Sequence, residues 1–357
     1  MKICIVLGTR PEIIKMSPVI RDIIKKKLDF FIIHSNQHYS ENMDKVFFSE
    51  LSLPAPKYNL GIGSAEHGNQ TGKMLIAIED ILLKERPDIV LAQGDTNTVL
   101  AAILAAAKQD IKTGHIEAGL RSYDRRMPEE KNRILCDSIS DLLFCPTEVQ
   151  KNILTGEGIA RKKISVTGNT IVDAVMQNRH LTKRSSILEE LNLKKSEYIL
   201  FTAHRGLNVD YKDSLVHLLD FLAILVEKTQ KKLVWPMHPR TRAKLKEFNL
   251  KFDQAIITEP LGYIDFLCLE ESAHMIVTDS GGVQEEACVL QVPCITIREN
   301  TERPETVSCG ANMVVGLDQK KLEGAIYHFS RPKSRLWRNP LGDGTAGEKI
   351  VEIIERL

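Results

Sequence analysis

The chain has 357 residues, 43% of them hydrophobic and 27% charged, and its 48 Lys and Arg balance its 47 Asp and Glu to a formal net charge of +1. This length exceeds what one hydrophobic core usually supports, so we expect two domains. The even mixture of charges excludes a broad basic surface for nucleic acid or an acidic membrane, and any anion site must be local.

The cysteines and the first residues of the chain indicate the cellular compartment in which the protein is expected. The seven cysteines form no CxxC pair and lie mostly in apolar runs, which predicts buried, reduced thiols. The opening run MKICIVLG is too short for a signal peptide or a membrane span. We therefore expect a cytoplasmic protein without membrane association.

In the first half, short β-branched runs alternate with longer helical patterns. The apolar runs are KICIVLG, FFIIHS, DIVLAQGD, KTGHIEAG, DLLFCPT and KISVTGN. Helices are predicted over residues 11–27, 70–85 and 96–108. Uninterrupted apolar runs are typical of strands covered on both faces, and the strand–helix repetition predicts a doubly wound parallel sheet.

The same alternation starts again in the second half. The apolar runs there are YILFTAH, KLVWPMH, AIITEP, HMIVTDS and PCITIR, with helices over residues 213–228 and 283–290. We place the domain boundary near Thr170, giving domains 1–170 and 171–345. A last helix over residues 346–356 is expected to pack back on the first domain.

Ligands of open α/β sheets bind beyond the carboxyl ends of the strands. The polar residues that end the apolar runs are Arg10, Gly94, Asp95, Glu117, His204, His238 and Ser280–Gly282. The turn Asp279–Gly282 opens a helix with Glu285 and Glu286, and its glycines and free amides suit a phosphate. An ordinary capped turn is the alternative reading of this segment.

A second turn, Gly8–Glu12, places Arg10 and Lys15 where they can reach an anion. Neither turn is a GxGxxG or Walker motif, so we expect no bound NAD and no other cofactor. The His34/His38 pair has helical metal-ligand spacing but no third ligand, so we expect no metal either.

Three carboxylates are candidates for proton transfer: Asp95 in GDTNT, Glu117 in HIEAG and Glu129 in MPEEKNR. Each alone is typical of a cap or an ion pair. Carboxylates gathered in one site raise each other's pKa toward neutrality, where an acid/base group works best.

Ten ordered motifs spread over essentially the whole chain resemble those of the non-hydrolysing UDP-N-acetylglucosamine (UDP-GlcNAc) 2-epimerases. They are GTRPExIK (8–15), QGDTxT (93–98), HIEAGLR (115–121), PEExNR (128–133), VTGNTxVDA (166–174), TAHR, EPLxYxxF (259–266), TDSGGxQEEA (278–287), TERPE and NPLGDG.

The resemblance implies two Rossmann-like domains as in GT-B glycosyltransferases, with the active site in the interdomain cleft. It also implies a homodimer that interconverts UDP-GlcNAc and UDP-N-acetylmannosamine (UDP-ManNAc) for polysaccharide biosynthesis. By the same resemblance, the residues that hold UDP are Arg10, Lys15, His204, Phe266, Ser280, Gly281, Gly282, Glu286 and Arg303. Glu286 takes the ribose hydroxyls, and Asp95, Glu117 and Glu129 surround the sugar together with Arg133.

The C2 proton of the sugar is not next to a carbonyl, so direct removal is too costly. Elimination of UDP acidifies C2, and a carboxylate takes the proton to give 2-acetamidoglucal; re-addition with protonation from the opposite face gives the manno epimer. We assign the C2 proton transfers to Glu117 and Glu129, and Asp95 orients the sugar or assists as a third catalytic acid/base. His204 has a catalytic as well as a diphosphate-binding role.

Two segments depart from the family. The activator motif QHRxM reads QHYSENM over residues 37–43, and residues 66–70 lack the usual Arg. The pattern His-Arg-Arg-Glu reads His-Arg-Gly-Leu over residues 204–207, so these differences argue against activation by a second UDP-GlcNAc through the usual contacts.

Three alternatives to the predicted function stay open. They are a hydrolysing epimerase, a GT-B glycosyltransferase with an acceptor surface, and a sugar-nucleotide sensor without catalysis.

Overall fold

The computed structural model describes residues 1–37, 41–331 and 336–357, without the side chains of residues 41–44. The chain forms two compact units. The first comprises Met1–Gln177 and Leu341–Leu357, and the second comprises Asn178–Pro340. No helix in the described ranges is long and apolar enough to cross a membrane.

The first unit is built on a seven-stranded parallel sheet. Its strands are β1 (Lys2–Leu7), β2 (Asp29–His34), β3 (Tyr58–Asn59), β4 (Ile89–Gln93), β5 (Lys112–Ile116), β6 (Leu142–Cys145) and β7 (Ile164–Val166), in the order β3-β2-β1-β4-β5-β6-β7. Its helices are α1 (Arg10–Lys25), α2 (Glu41–Glu50), α3 (His67–Glu85), α4 (Asn97–Ala107), α5 (Pro128–Ile139), α6 (Glu148–Gly156) and α7 (Thr170–Asn178). The central strand β1 is buried from Ile3 onward, as its uninterrupted apolar run predicts.

The second unit is built on a six-stranded parallel sheet. Its strands are β8 (Tyr198–Thr202), β9 (Lys232–Pro236), β10 (Ala255–Thr258), β11 (Met275–Thr278), β12 (Cys294–Thr296) and β13 (Asn312–Val314), in the order β10-β9-β8-β11-β12-β13. Its helices are α8 (Ile187–Glu190), α9 (Gly206–Val209), α10 (Lys212–Thr229), α11 (Pro239–Glu247), α12 (Tyr263–Ser272), α13 (Gly281–Leu290), α14 (Pro304–Ser308) and α15 (Gln319–Phe329). The two sheets confirm the predicted class of two Rossmann-like, doubly wound parallel domains.

The last helix, α16 (Ala346–Ile354), belongs to the first unit and packs against α1. The Asn169 amide donates to the Leu341 carbonyl at 2.8 Å, and the Gly347 amide donates to Asp173 at 2.8 Å. These bonds tie residues 341–357 to α7. The units therefore divide after Gln177 and Pro340, whereas the sequence analysis placed the boundaries at residues 170 and 345.

Two short strands, β3 and β13, were not predicted from the sequence. Strand β3 has two residues at the edge of its sheet, and β13 has three at the edge of the other. Neither strand is long enough to show a hydrophobic pattern of its own.

The seven cysteines are free thiols, and six of them are buried.

Candidate active site

Glu117 is held in place by a buried cation. It follows β5 in the left-handed region with φ of 70°, and both its own amide and that of Ala118 donate to the Phe144 carbonyl. Lys15 Nζ from α1 donates to both carboxylate oxygens, at 2.8 and 2.9 Å, and Gln93 donates to one of them. Only 6% of Glu117 is exposed. A non-glycine residue in this conformation is uncommon and is typical of functional turns.

Lys15 was expected to hold UDP. The structure places its ammonium group against Glu117, and both side chains are buried. An ion pair of this kind holds the Glu117 carboxylate at one fixed position. In this structure, the ammonium group of Lys15 forms an ion pair with Glu117.

Asp95 and Arg133 lie together, as the sequence analysis expected. Asp95 follows β4 after Gly94, whose φ of 90° favours glycine. Its carboxylate, 26% exposed, pairs with the Arg133 guanidinium from α5, and Asn132 donates to its carbonyl at 3.0 Å. Arg133 also reaches Glu130 at 3.2 Å. The residues that begin α5 thus fix the loop that carries Asp95.

Glu129 differs from the two preceding carboxylates. It lies half-buried in the first turn of α5, and no hydrogen bond or ion pair joins it to any residue that the structure describes. The next residue, Glu130, is buried and accepts from the amides of Ser122 at 2.9 Å and Tyr123 at 3.0 Å. Glu130 therefore has a structural role, whereas Glu129 keeps its carboxylate available for a ligand.

Two of the three candidate carboxylates have a cation beside them. Glu117 contacts Lys15, and Asp95 contacts Arg133. The mutual effect of the three carboxylates that the sequence predicts stays a prediction.

A buried histidine behind the two loops was missed. His115 on β5 bonds Asp137 through Nδ1 and the Gly94 carbonyl through Nε2, both at 2.7 Å. Burial lowers the pKa of His115, but the Asp137 carboxylate and these bonds outweigh burial and raise it above its ordinary value. A doubly donating imidazolium fixes Gly94, and through it the loop of Asp95. The only sequence clue was the position of His115 within HIEAGLR.

The turn between β1 and α1 is closed by Glu12, another buried group. Its carboxylate accepts from the amides of Gly8 at 2.5 Å and Thr9 at 2.9 Å, and from Thr96 Oγ1 at 2.5 Å. Burial raises its pKa to about 7 in spite of these bonds. Arg10, the first residue of α1, lies half-buried with its guanidinium 5.8 Å from the Phe47 ring.

The segment that corresponds to the family's activator motif is only partly described, because residues 38–40 and the side chains of 41–44 lie outside the described part of the chain. His38, of the His34/His38 pair for which no metal is expected, lies there too. The side chain of Gln70 forms its hydrogen bonds with other residues of the first unit. It donates to the carbonyls of Gln37 at 3.0 Å and Gly63 at 2.8 Å and accepts from Asn97 at 2.8 Å.

In the second unit, Asp279 organises the loop that carries His204. Asp279 is fully buried at the end of β11, and it accepts from the amides of His204 and Arg205 at 3.0–3.2 Å and from Asn208 at 3.0 Å. His204 Nδ1 lies 3.1 Å from the same carboxylate. Burial raises the pKa of Asp279, but His204 and these donors hold it well below its usual range. The His204 side chain is 44% exposed, and its ring lies 5.8 Å from that of His238.

Ser280, Gly281 and Gly282 form the start of α13, where helix amides lack partners within the helix. A Cβ atom on Gly281 would lie 3.0 Å from Glu302 Oε1 and 3.3 Å from Arg303 Cζ. Glycine is therefore needed here for close packing against the TERPE segment. The amino end of a helix and a nearby guanidinium together attract an anion.

Three arginines surround this helix start. Arg298 and Arg303 lie 2.7 and 3.3 Å from the buried Glu302, and Arg205 lies 3.5 Å from it. Arg303 Nε also donates to Glu285 at 2.6 Å. Burial raises the pKa of Glu302, but the arginines hold it well below its ordinary value. The sequence motifs predict Arg303 as a ligand but not Arg298, which follows β12 without a recognisable motif.

Two other predicted UDP ligands lie on helices of this unit. Phe266 is half-buried in the first turn of α12, and Glu286 is buried on α13. The described residues thus form two groups, each at the carboxyl ends of its own sheet. The first unit gathers carboxylates with matched cations, and the second gathers cations, amides and an exposed histidine.

Comparison with known proteins gives a consistent result. The family profile of UDP-N-acetylglucosamine 2-epimerase matches residues 22–355. A UDP-N-acetylglucosamine 2-epimerase of Methanocaldococcus jannaschii is 56% identical over 99% of both chains. A crystal structure from that organism, in complex with UDP-GlcNAc and UDP, shares 55% identity over 100% of both chains with a TM-score of 0.96. A UDP-2,3-diacetamido-2,3-dideoxy-D-glucuronate 2-epimerase of Pseudomonas aeruginosa is 42% identical over the full length of both chains. With both sheets, both groups of site residues and this full-length similarity, the chain belongs to the UDP-N-acetylglucosamine 2-epimerase family.

Proposed function

We propose that this enzyme reversibly converts UDP-GlcNAc into UDP-ManNAc without releasing free sugar. The observation that carries the proposal is the pair of differently held carboxylates: Glu117 is fixed by Lys15, whereas Glu129 has no partner among the described residues. A reaction that removes a proton from one face of C2 and returns it to the other needs two such groups. The solved relative with UDP-GlcNAc and UDP supports the choice of substrate.

The reaction begins with cleavage of the C1–O bond, whose electron pair leaves with UDP. A carboxylate takes the C2 proton, and the C–H electrons form the C1=C2 double bond of 2-acetamidoglucal. Re-addition of UDP at C1 and protonation of C2 from the other face give the epimer. Glu117 and Glu129 carry the two proton transfers, and Asp95, fixed by Arg133, orients the sugar.

The second unit supplies the groups that suit a leaving diphosphate. His204, the amides that begin α13, and Arg303 are positive or donate hydrogen bonds, and they lie near one another around Asp279 and Glu302. Charge that develops on the departing UDP is stabilised by donors already in place. Glu286 accepts the ribose hydroxyls in this proposal.

The test is incubation with UDP-GlcNAc in D2O without added NAD, followed by NMR of C2 and of released UDP. Deuterium at C2 of both UDP-sugars, with little free ManNAc, supports elimination and re-addition. Accumulation of free ManNAc and UDP identifies the hydrolysing alternative. An unchanged C2 proton contradicts the proposal and favours the transferase or the sensor.

The Pseudomonas relative defines a second candidate substrate. Parallel assays of UDP-GlcNAc and UDP-2,3-diacetamido-2,3-dideoxy-D-glucuronate compare kcat/KM. A higher value with the glucuronate overturns the choice of substrate while leaving the elimination chemistry intact. Homodimer formation stays a prediction, and analytical ultracentrifugation tests it.

A further inference from the structure

A buried glutamine on α13 has no role in the reaction as described so far. Gln284 is 0% exposed. Its Nε2 donates to the Ser280 carbonyl at 3.1 Å, and its Oε1 accepts from Thr301 Oγ1 at 2.7 Å and from Asn312 Nδ2 at 3.1 Å. These partners fix the orientation of the amide, because the reversed amide would face a carbonyl with its oxygen and an amide nitrogen with its nitrogen.

Thr301 connects this glutamine to the backbone of Arg303. A threonine hydroxyl has a single proton, and that of Thr301 is donated to Gln284. Its oxygen can still accept hydrogen bonds, and the Arg303 amide donates to it at 3.1 Å. Helix α13 therefore holds the amide of Arg303 through two side chains.

The carbonyl of Arg303 is held in a similar way from β13. Thr306 Oγ1 donates to this carbonyl at 2.8 Å and accepts from Asn312 Nδ2 at 3.1 Å. The same Asn312 amide donates to Gln284, and its oxygen accepts from Thr296 Oγ1 on β12 at 2.7 Å. Thr296, Thr306 and Asn312 are all buried. One buried network thus holds both backbone groups of Arg303.

Two carboxylates direct the side chain of Arg303. Its Nε donates to Glu285 at 2.6 Å, and its Nη1 lies 3.3 Å from Glu302. Glu285 is the residue after Gln284 on α13, so adjacent residues of one helix hold the guanidinium and, through Thr301, the backbone. An arginine that is already held in position loses less freedom when it binds an anion.

We propose that Gln284 and Thr301 are positioning residues that fix the backbone of Arg303, so that its guanidinium and the amides that begin α13 contact the same diphosphate. This inference rests on the diphosphate contact in the proposed function. Both residues act through Arg303. Because both are uncharged, they fix the backbone without offsetting the positive charge that the diphosphate meets.

The test compares the binding of UDP and UMP to the complete protein by ligand-observed NMR titration, because the ratio of the two affinities reports the contact with the second phosphate. Thr301→Val keeps the shape of the side chain and removes both hydrogen bonds, so the preference for UDP should fall about tenfold. Thr301→Ser keeps the hydroxyl and should keep the preference. Thr229→Val is the matched control, since the Thr229 hydroxyl donates to the Leu225 carbonyl within α10 at 2.6 Å.

Gln284→Met removes the next member of the network and should cause a similar loss of preference. In an Arg303→Met background, the same change should have little further effect, because the guanidinium that Gln284 positions is already absent. Circular dichroism and urea unfolding verify that each variant is folded. A purely structural role would lower the stability and leave the ratio of UDP to UMP affinity unchanged.

The outcomes separate the two levels of inference. A wild type that binds UMP as tightly as UDP removes the diphosphate contact of the proposed function, and this inference with it. A wild type that prefers UDP, with the same preference in Thr301→Val and Gln284→Met, leaves the diphosphate contact standing and overturns the positioning role. An equal loss of preference in Thr301→Ser also overturns that role, because the hydroxyl is then not the group that matters.

Discussion

The two units hold their charged groups in opposite ways. In the first, buried or half-buried cations fix the carboxylates, as Lys15 does for Glu117 and Arg133 for Asp95. In the second, buried carboxylates fix hydrogen-bond donors, as Asp279 does for His204 and Glu302 does for Arg303. In the proposed function, the group that contacts the ligand is thus the anion in one unit and the donor in the other.

This difference is consistent with the roles that the proposed function gives to the two units. Anions held by cations are suited to accept and return protons at carbon. Cations and amides held by anions are suited to an anionic leaving group. In both, the supporting partner is itself buried. Mutation of the supporting group and mutation of the group it supports should therefore have separable effects.

The largest expected effect comes from the Lys15–Glu117 pair. Glu117→Gln should lower kcat about 1000-fold, because a proton-transfer group is lost. It should also cost about 3 kcal/mol of unfolding free energy, because the ammonium group of Lys15 is left buried without its anion. Steady-state kinetics and urea unfolding measure the two effects.

The double variant Lys15→Met, Glu117→Gln sharpens this test. Removing the unpaired cation should restore most of the stability but none of the activity. If the double variant regains activity, Glu117 has only a structural role and the comparison between the units fails.

Glu129→Gln should lower the rate of deuterium incorporation at C2 by about 100-fold and leave the unfolding free energy nearly unchanged. The reason is that no described residue depends on its carboxylate. Glu130→Gln is the matched control: it should reduce stability, since Glu130 closes the Ser122–Tyr123 turn. A stability loss in Glu129→Gln would contradict its assignment as a ligand-facing group.

The sequence was sufficient for the architecture and for the exposed members of each site. Uninterrupted apolar runs predict β1 and β4, and the residues directly after them, such as Asp95, lie where a parallel sheet binds ligands. The residues that support these site residues could not be predicted. His115 acts through Asp137, 22 residues away in the chain, and Arg298 acts through Glu302 in an irregular segment, so no recognisable spacing encodes either contact.

Asp279→Asn tests the second unit. It should cost about 2 kcal/mol at neutral pH, because the amides and His204 lose a buried anion. The pKa of Asp279 is lower in the folded protein than in the unfolded chain, so its contribution is present above about pH 4 and is lost as the pH falls through the folded pKa. Urea unfolding at neutral and acidic pH should show a smaller acid loss in the variant.

The contribution of Glu12 to stability changes with pH in the opposite direction. Its pKa of about 7 in the folded protein lies above that of the unfolded chain, so its contribution is present below about pH 4.5 and is lost as the pH rises through 7. Glu12→Gln should abolish a loss of about 2 kcal/mol between mildly acidic and mildly alkaline pH. The same pH slope in variant and wild type would show that another group is responsible.

The return of α16 to the first unit has a consequence for synthesis on the ribosome. All residues of the second unit, Asn178–Pro340, are translated before the helix that packs on α1. The first unit therefore cannot complete its own fold until the second has been synthesised in full, although domains usually fold in the order of their synthesis.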